Sequence, residues 1–236
     1  MQGKLNILGM GPGDPELVTR KAERLLRSHS IFAYFAKKGE KGHARHIAQE
    51  FITNTHQELR FEYPITTEIP HKHIEYKQAL QQFYDQSAHH IQHHLDQGET
   101  VNLLCEGDPL LYGSAMYILE RLSPTYTTEI VPGICAMNGC WSAAKLPIVK
   151  YEQTLTVIPA TLPLEQLTDK LYHSDSVVIM KIGRHLAKVK SALQTTDLLN
   201  KAVYIERGTQ LNQRILPMTE LTQEHAPYFS LILITG

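Results

Sequence analysis

The feature that most constrains this chain is a repeated join. A short apolar run ends in a glycine-bearing acidic turn, and a helical pattern follows. The join occurs at 7-ILGMGPGDPELVT-19 and again at 104-LCEGDPLLYGSA-115. Such a run reads as a buried strand, and the helix-spaced residues after it read as a crossover. Leu5–Leu8 is the first strand; Asp14 stands as N-cap with Pro15 in the first turn, and Leu17, Val18, Ala22, Leu25 and Leu26 recur at helical spacing. Ile31–Phe35 is a second strand, and the segment from about Gly42 to Ile52 is helical. A helix from about Ile74 to Gln97 carries Leu80, Phe83, Tyr84, Ile91 and Leu95 on one face. Strand Thr100–Cys105, the second turn and a helix through Met116, Leu119 and Leu122 complete an open α/β sheet, with loops gathered at strand ends where ligands bind.

Ser123-Pro124 marks a break. After it come a strand at Thr127–Val131, a helix near Ile134–Ala144, and strands at Thr154–Ile158, Ser176–Met180, Lys201–Glu206 and Phe229–Ile234. The expectation is two α/β domains, residues 1–123 with an open, mainly parallel sheet and residues 124–236 with a mixed one. A chain of 236 residues is long enough for both cores. Lys+Arg 23 against Asp+Glu 24 gives a formal net charge of -1, which supplies no general pull towards nucleic acid or a membrane surface. Cys105, Cys135 and Cys140 sit among apolar or small residues and read as reduced thiols. With no cationic leader and no long apolar run, a soluble cytoplasmic protein without nucleic-acid or membrane partners is expected.

The glycine turns do not describe a dinucleotide site. In 9-GMGPGD-14 the third glycine is replaced by Asp14, whose charge would oppose a pyrophosphate at a helix start. The second strand runs into Ala36-Lys37-Lys38 where an acid is required, and no GxxxxGK[ST] loop is present. Asp108 suits a ligand with positive or donor character, and Gly107 and Gly113 permit close backbone approach. The alternative is that Asp14 and Asp108 are helix caps and the glycines are turn glycines. His89, His90, His93 and His94, with His71 and His73 upstream, have i, i+4 pairs but no HExxH pattern. They read as a solvated helix face, and no metal is expected.

The order of five segments carries a family resemblance. Gly9-Met10-Gly11-Pro12-Gly13-Asp14-Pro15, 106-EGDPLLYGS-114, 131-VPGICAMNG-139, 179-IMKIGRH-185 and 204-YIERGTQLNQRI-215 together resemble the tetrapyrrole (corrin and porphyrin) methylases over nearly the whole chain. The resemblance implies S-adenosyl-L-methionine as methyl donor, two α/β domains with the donor in the cleft between them, and a homodimer. Within the family, 33-AYFAKKGEKGHAR-45, 61-FEYPITTEIP-70 and 226-APYFSLILITG-236 are similar to the members that methylate C-20 of precorrin-2 in cobalamin biosynthesis. Precorrin-2 is therefore the expected substrate. The cobalt-loaded substrate, or another ring carbon, is the nearest alternative. A non-enzymatic tetrapyrrole-binding protein is the rival from a different class.

By the family pattern, Asp108, Leu111, Gly113 and Ser114 would approach the methionine and ribose of the donor. Ser142 and Ala143, after Cys140 and Trp141, would line the adenosine pocket with Met180. Tyr204, Ile205 and Glu206 would complete it, and Pro12 would face the tetrapyrrole. Ala160, in 158-IPATLP-163, departs from the glycine expected in many relatives.

Methyl transfer from a sulfonium to an enamine-like meso carbon asks the protein for alignment, electrostatics and a base. His43, Glu106 and Tyr112 remain open as that base. A polycarboxylate substrate calls for a local basic patch, and Lys37, Lys38, Lys41, His43, Arg45 and His46 lie close together. Lys37 and Lys38 would act as point charges and Arg45 as a bidentate partner, with Arg184 and Arg207 as further substrate contacts. Gly39 and Gly42 suit a loop that closes on a large substrate.

Overall fold

The computed structural model describes residues 2–65 and 74–236. Residues 66–70 of the segment 61-FEYPITTEIP-70, and His71 and His73, lie outside the described residues. The chain divides into two compact units, Met1–Cys135 and Ala136–Gly236.

The first unit is an all-parallel sheet of β1 (Lys4–Gly9), β2 (Ile31–Lys37), β3 (Gln57–Tyr63), β4 (Thr100–Cys105) and β5 (Thr127–Val131), in the order β3-β2-β4-β1-β5. Its helices are α1 (Arg20–Ser28), α2 (His43–Ile47), α3 (Ile74–Asp96) and α4 (Ala115–Leu122). Side chains alternate across the strands, so each face has its own core. Leu8, Met10, Phe32, Tyr34 and Leu104 pack under α1 and α2 through Ala22, Leu26, Ala44 and Ile47. Leu5, Ile7, Ile31, Ala33 and Leu103 pack under α3 and α4 through Ile91, Leu95, Ala115 and Ile118. On the α1 face, Asn6 and Asn102 stand opposite each other in register and are fully buried. Asn6 Nδ2 donates to Asn102 Oδ1 at 2.9 Å, and Asn102 Nδ2 donates to the Leu25 carbonyl at 3.1 Å, which ties α1 to the sheet.

Three expectations are corrected. The boundary falls at Cys135/Ala136 and not at 123/124, because β5 pairs in parallel with β1 from Lys4↔Thr127 to Leu8↔Val131. Ser123-Pro124 thus ends a helix and not a domain. The helix expected from Asp14 begins at Arg20, where Thr19 Oγ1 accepts the Ala22 N–H at 3.2 Å; Asp14 caps only a single 3-10 turn, Pro15–Leu17. The helix expected over 42–52 breaks after α2 into a 3-10 turn, Gln49–Phe51. The edge strand β3 was not read from the sequence, because most of its residues face solvent and its apolar signal is thin.

The second unit is mixed. β6 (Leu155–Pro159), β7 (Ser176–Met180), β8 (Ala202–Glu206), β9 (Arg214–Pro217) and β10 (Ser230–Ile234) run in the order β6-β7-β10-β8-β9. β6 and β7 are parallel, and β10 is antiparallel to both β7 and β8. α6 (Leu164–Tyr172) and α7 (Leu186–Thr195) cover one face over Val177, Ile179, Tyr204 and Ile232. α5 (Ala136–Ala143) covers the other over Val178, Ile205, Leu231 and Leu233. The architecture is the expected one, a parallel N-terminal and a mixed C-terminal α/β unit. Among the described residues no helix is long and apolar enough to cross a membrane.

Lys4 and Lys21 both pair with Glu129, joining β1, α1 and β5. Hydrogen bonds from Lys21 and then Lys4 hold the Glu129 carboxyl down to about 2 from the ordinary 4.5. A depressed carboxylate pKa stabilises the fold fully above the unfolded-state value and loses that stabilisation as pH falls through the folded one. Glu129→Gln is expected to lower the melting temperature slightly at pH 7, since the group is solvent-accessible. The gap from wild type should close as pH falls from 4.5 towards about 2. Circular-dichroism melts across that range measure it.

Candidate functional site

The loops after β1, β4 and β5 meet at the C-terminal edge of the first sheet. Adjacent strands β1 and β4 send their chains to opposite faces, into α1 and α4, which makes this strand-end edge the usual ligand position of an open parallel sheet. The loops are joined backbone to backbone. Met10 N–H donates to the Cys105 carbonyl at 2.8 Å, and Gly107 N–H to the Gly11 carbonyl at 2.8 Å. Glycine is obligatory here. A Cβ on Gly133 would lie 2.1 Å from the Gly107 carbonyl oxygen, and one on Gly9 2.4 Å from the Gly133 nitrogen. Gly107 itself turns through φ 60.

Asp108 holds this junction closed. Its Oδ1 accepts the Leu110 N–H at 2.9 Å and its Oδ2 the Gly133 N–H at 3.1 Å, so it spans the loops after β4 and β5. It does not cap α4, whose N-cap is Ser114. Half-buried Leu111 and exposed Tyr112, at φ 57, follow in the same turn. A Cβ on Gly113 would meet the Pro109 carbonyl at 2.7 Å and Cys105 Sγ at 2.9 Å. Ser114 Oγ accepts the hydroxyl protons of Tyr63 at 2.6 Å and Tyr84 at 3.1 Å, a convergence no sequence pattern announced. Pro12 lies half-buried beside the junction, in the loop after β1.

Glu106 is the first residue beyond β4. Its side chain is solvent-accessible, yet the surrounding protein strips enough hydration to raise the carboxyl above its ordinary range, opposed by its own N–H and that of Ala44. Burial, then the electrostatic influence of His46, pushes the His43 imidazole below its ordinary range.

Lys37, the last residue of β2, and Lys38 and Lys41, in the loop after it, are exposed. Arg45 differs from them: its Nε pairs with Glu58 Oε2 at 3.1 Å and its guanidinium lies 5.8 Å from the Phe32 ring centroid. The structure therefore gives Arg45 a bracing partner within its own unit. The histidine helix is likewise occupied, with His94 Nδ1 2.6 Å from Glu99 Oε2 and His90 stacked on Phe61. Among the described residues no three His, Cys, Asp or Glu side chains gather as a metal site.

In the second unit the expected adenosine residues divide between two faces. Met180 and Ile205 pack on the α5 side with Cys140 and Trp141, and Ser142 and Ala143 lie on α5 itself. The carbonyl of Met180 is held by the Ala160 N–H at 2.7 Å. Tyr204 and Glu206 point to the opposite face. Tyr204 is fully buried, and Glu206 accepts from the Tyr204 hydroxyl at 2.8 Å, Gln223 Nε2 at 2.9 Å and Arg207 at 3.1 Å. Only their main chain faces α5.

The loop after β8 holds Arg207 at φ 48 and Thr209 at φ 73, with Gly208 pressed so close to Cys140 that a Cβ would lie 2.5 Å from its Sγ. Arg207 Nε and Thr209 Oγ1 are buried with no partner among the described residues. Two orphaned polar atoms in a strained loop fit a ligand that offers acceptors, as a nucleoside does. The RGT triplet after an apolar strand was the available signal. Arg184 is exposed in the 3-10 turn Gly183–His185.

Residues 4–222 match the family of Tetrapyrrole (Corrin/Porphyrin) Methylases. The chain is 43% identical over 234 residues to a Precorrin-2 C(20)-methyltransferase of Sinorhizobium sp, covering 99% of this chain and 96% of that one. It is 39% identical to the Cobalamin biosynthesis protein CobIJ of Mycobacterium bovis, of whose length it spans 46%. It is 27% identical to the Cobalt-precorrin-2 C(20)-methyltransferase of Salmonella typhimurium, covering 99% of this chain and 97% of that one. Among solved structures, the methyltransferase CobJ superposes with a TM-score of 0.72 at 16% identity, over 99% of this chain and 94% of that one. A Thermus thermophilus uroporphyrin-III C-methyl transferase, solved with S-adenosyl homocysteine, superposes at 0.65 and 19% identity, over 98% of this chain and 97% of that one; both share the fold. The chain belongs to the tetrapyrrole methylase family. It is a tetrapyrrole methyltransferase of that family, whose methyl donor is S-adenosylmethionine.

The glycine junction yields a direct test. Gly133→Ala must push the β4 and β5 loops apart and break the Asp108 bond, because the added methyl would sit 2.1 Å from a backbone oxygen. A loss of about 1–3 kcal/mol in urea unfolding is expected, with weakened binding of S-adenosyl homocysteine by calorimetry.

Proposed function

We propose that this enzyme transfers the methyl of S-adenosylmethionine to C-20 of precorrin-2, giving precorrin-3A. The observation that carries the reading is 43% identity, across 99% of this chain, to a protein named for that reaction. The cobalt-precorrin-2 relative stands at 27% over a similar span, which makes the cobalt-loaded substrate the second reading.

The donor supplies an electrophilic methyl on a sulfonium, and the substrate supplies the enamine-like carbon. The chain's own residues bind, orient and exclude water. In this reading the glycine junction admits the donor close to main chain, with Asp108 fixing the turn and Ser114 keeping its own hydroxyl proton to donate. Met180, Ser142, Ala143, the main chain of Tyr204–Glu206 and the strained loop at Thr209 receive the nucleoside. Exposed Lys37, Lys38 and Arg184 meet substrate carboxylates, and Pro12 lies on the tetrapyrrole side. Arg207 is shared with Glu206 and would reach the substrate only by giving up that pair. A homodimer is part of the same proposal.

Labelled S-adenosylmethionine offered anaerobically with precorrin-2 and with cobalt-factor II in parallel tests the reading. Label at C-20 by NMR, from metal-free precorrin-2 only, is the expected result. Label from the cobalt substrate only selects the second reading, and label at another carbon overturns the regiochemistry. Lys37→Ala combined with Lys38→Ala is expected to raise KM for the tetrapyrrole several-fold at low salt with kcat little changed, the signature of lost uniform binding.

A further inference from the structure

We propose that the Glu106 carboxylate takes up the proton that leaves C-20 when the methyl arrives. The inference rests on the C-20 reading above and assigns the base that reading requires.

The argument begins with where the chain puts this side chain. Cys105 on one side of Glu106 receives the Met10 N–H at 2.8 Å, and Gly107 on the other gives its N–H to Gly11 at 2.8 Å. Both neighbours are buried and pinned to the loop after β1, while Glu106 is accessible. A residue fixed on both sides with an accessible side chain at a sheet's ligand edge is positioned to meet what binds there.

The second observation is what the other carboxylates are doing. Asp14 Oδ1 accepts the Glu16 N–H, and both oxygens of Asp108 accept backbone N–H groups. Glu58 is paired with Arg45, and Glu62 with Arg60 at 2.7 Å. Each is committed to holding the fold. Glu106 has no ion pair among the described residues, and its contacts are backbone N–H groups of its own residue and Ala44. The titratable and charged groups on the segments beside it are Cys105 and Asp108 on its own stretch, Asp14 after β1, and His43, Arg45 and His46 on α2, with Arg45 held by Glu58. The Cys105 thiol, pushed up to about 12 by burial, stays protonated and does not compete.

The third is proton affinity. A carboxylate kept in its ordinary range is a poor match for a carbon acid near neutral pH, and one raised by desolvation is a better match. The step balances. The C-20 electron pair forms the new carbon–carbon bond as the sulfonium carbon–sulfur bond breaks, its electrons leaving on sulfur to give S-adenosylhomocysteine. C-20 then carries both methyl and hydrogen beside an iminium. Glu106 takes the hydrogen as a proton, and the electrons of that carbon–hydrogen bond restore the conjugated system.

The test compares wild type with Glu106→Gln and Glu106→Asp, using precorrin-2 carrying hydrogen or deuterium at C-20. Glu106→Gln is expected to lower kcat about 100-fold or more, with S-adenosyl homocysteine affinity and melting temperature unchanged. It should also show a larger C-20 isotope effect than wild type, because proton loss becomes the slow step. Glu106→Asp should recover part of the rate. A purely structural residue would not move the isotope effect. Equal rates and equal isotope effects in wild type and Glu106→Gln would overturn the assignment. Failure of wild type to label C-20 would instead overturn the C-20 reading, so the two failures are read separately.

Discussion

Three strands of the first sheet end in contact distances that no side chain survives. Gly9, Gly107 and Gly133 bring the loops after β1, β4 and β5 together backbone to backbone, with Gly11 and Gly107 paired as an isolated bridge. Everything at the ligand edge follows from that closeness. Asp108 reaches from the β4 loop to the β5 loop only because Gly133 lets the two approach. Gly113 then folds the turn back over Cys105 and delivers Ser114 to the head of α4. The acidic glycine turn is repeated because the loops after β1 and β4 both need backbone that can touch backbone.

The acidic residues of these turns have different uses although they look alike in sequence. Asp14 and Asp108 satisfy main-chain donors, a charge-assisted use that stiffens a loop. Glu129 is gripped by two lysines and joins an edge strand to the sheet. Glu106 forms no ion pair among the described residues, contacts the N–H groups of its own residue and Ala44, and is raised by desolvation. Raised proton affinity is the physical consequence, and it is what makes that position chemically distinct.

The second unit contains a comparable division. Glu206 gathers Tyr204, Gln223 and Arg207 on the α7 side of β8 and so anchors the strand. The chain beyond it, released from regular pairing, enters positive φ at Arg207 and Thr209 and leaves two polar atoms buried without partners. Strain and unsatisfied donors at one loop, braced by a fully paired carboxylate beside it, are typical of a site completed by ligand.

Apolar runs and helical spacing by themselves determined the two α/β units, the long α3 within a residue of its ends, and the ordered motif segments that mark the family. They do so because buried strands and amphipathic helices write their period directly into the chain. The edge strands β3 and β9 were not legible, since a strand half in water loses its apolar signal. The unit boundary also escaped, because β5 joins β1 across more than a hundred residues and nothing local records that partner. Site chemistry divided in the same way. Asp108 and Glu106 could be named from the turn, but which partners each carboxylate meets depends on the loops that tertiary packing brings beside it. Arg45 shows the converse: one of a basic cluster, carried on α2 and committed to Glu58 by a strand pairing the sequence does not display.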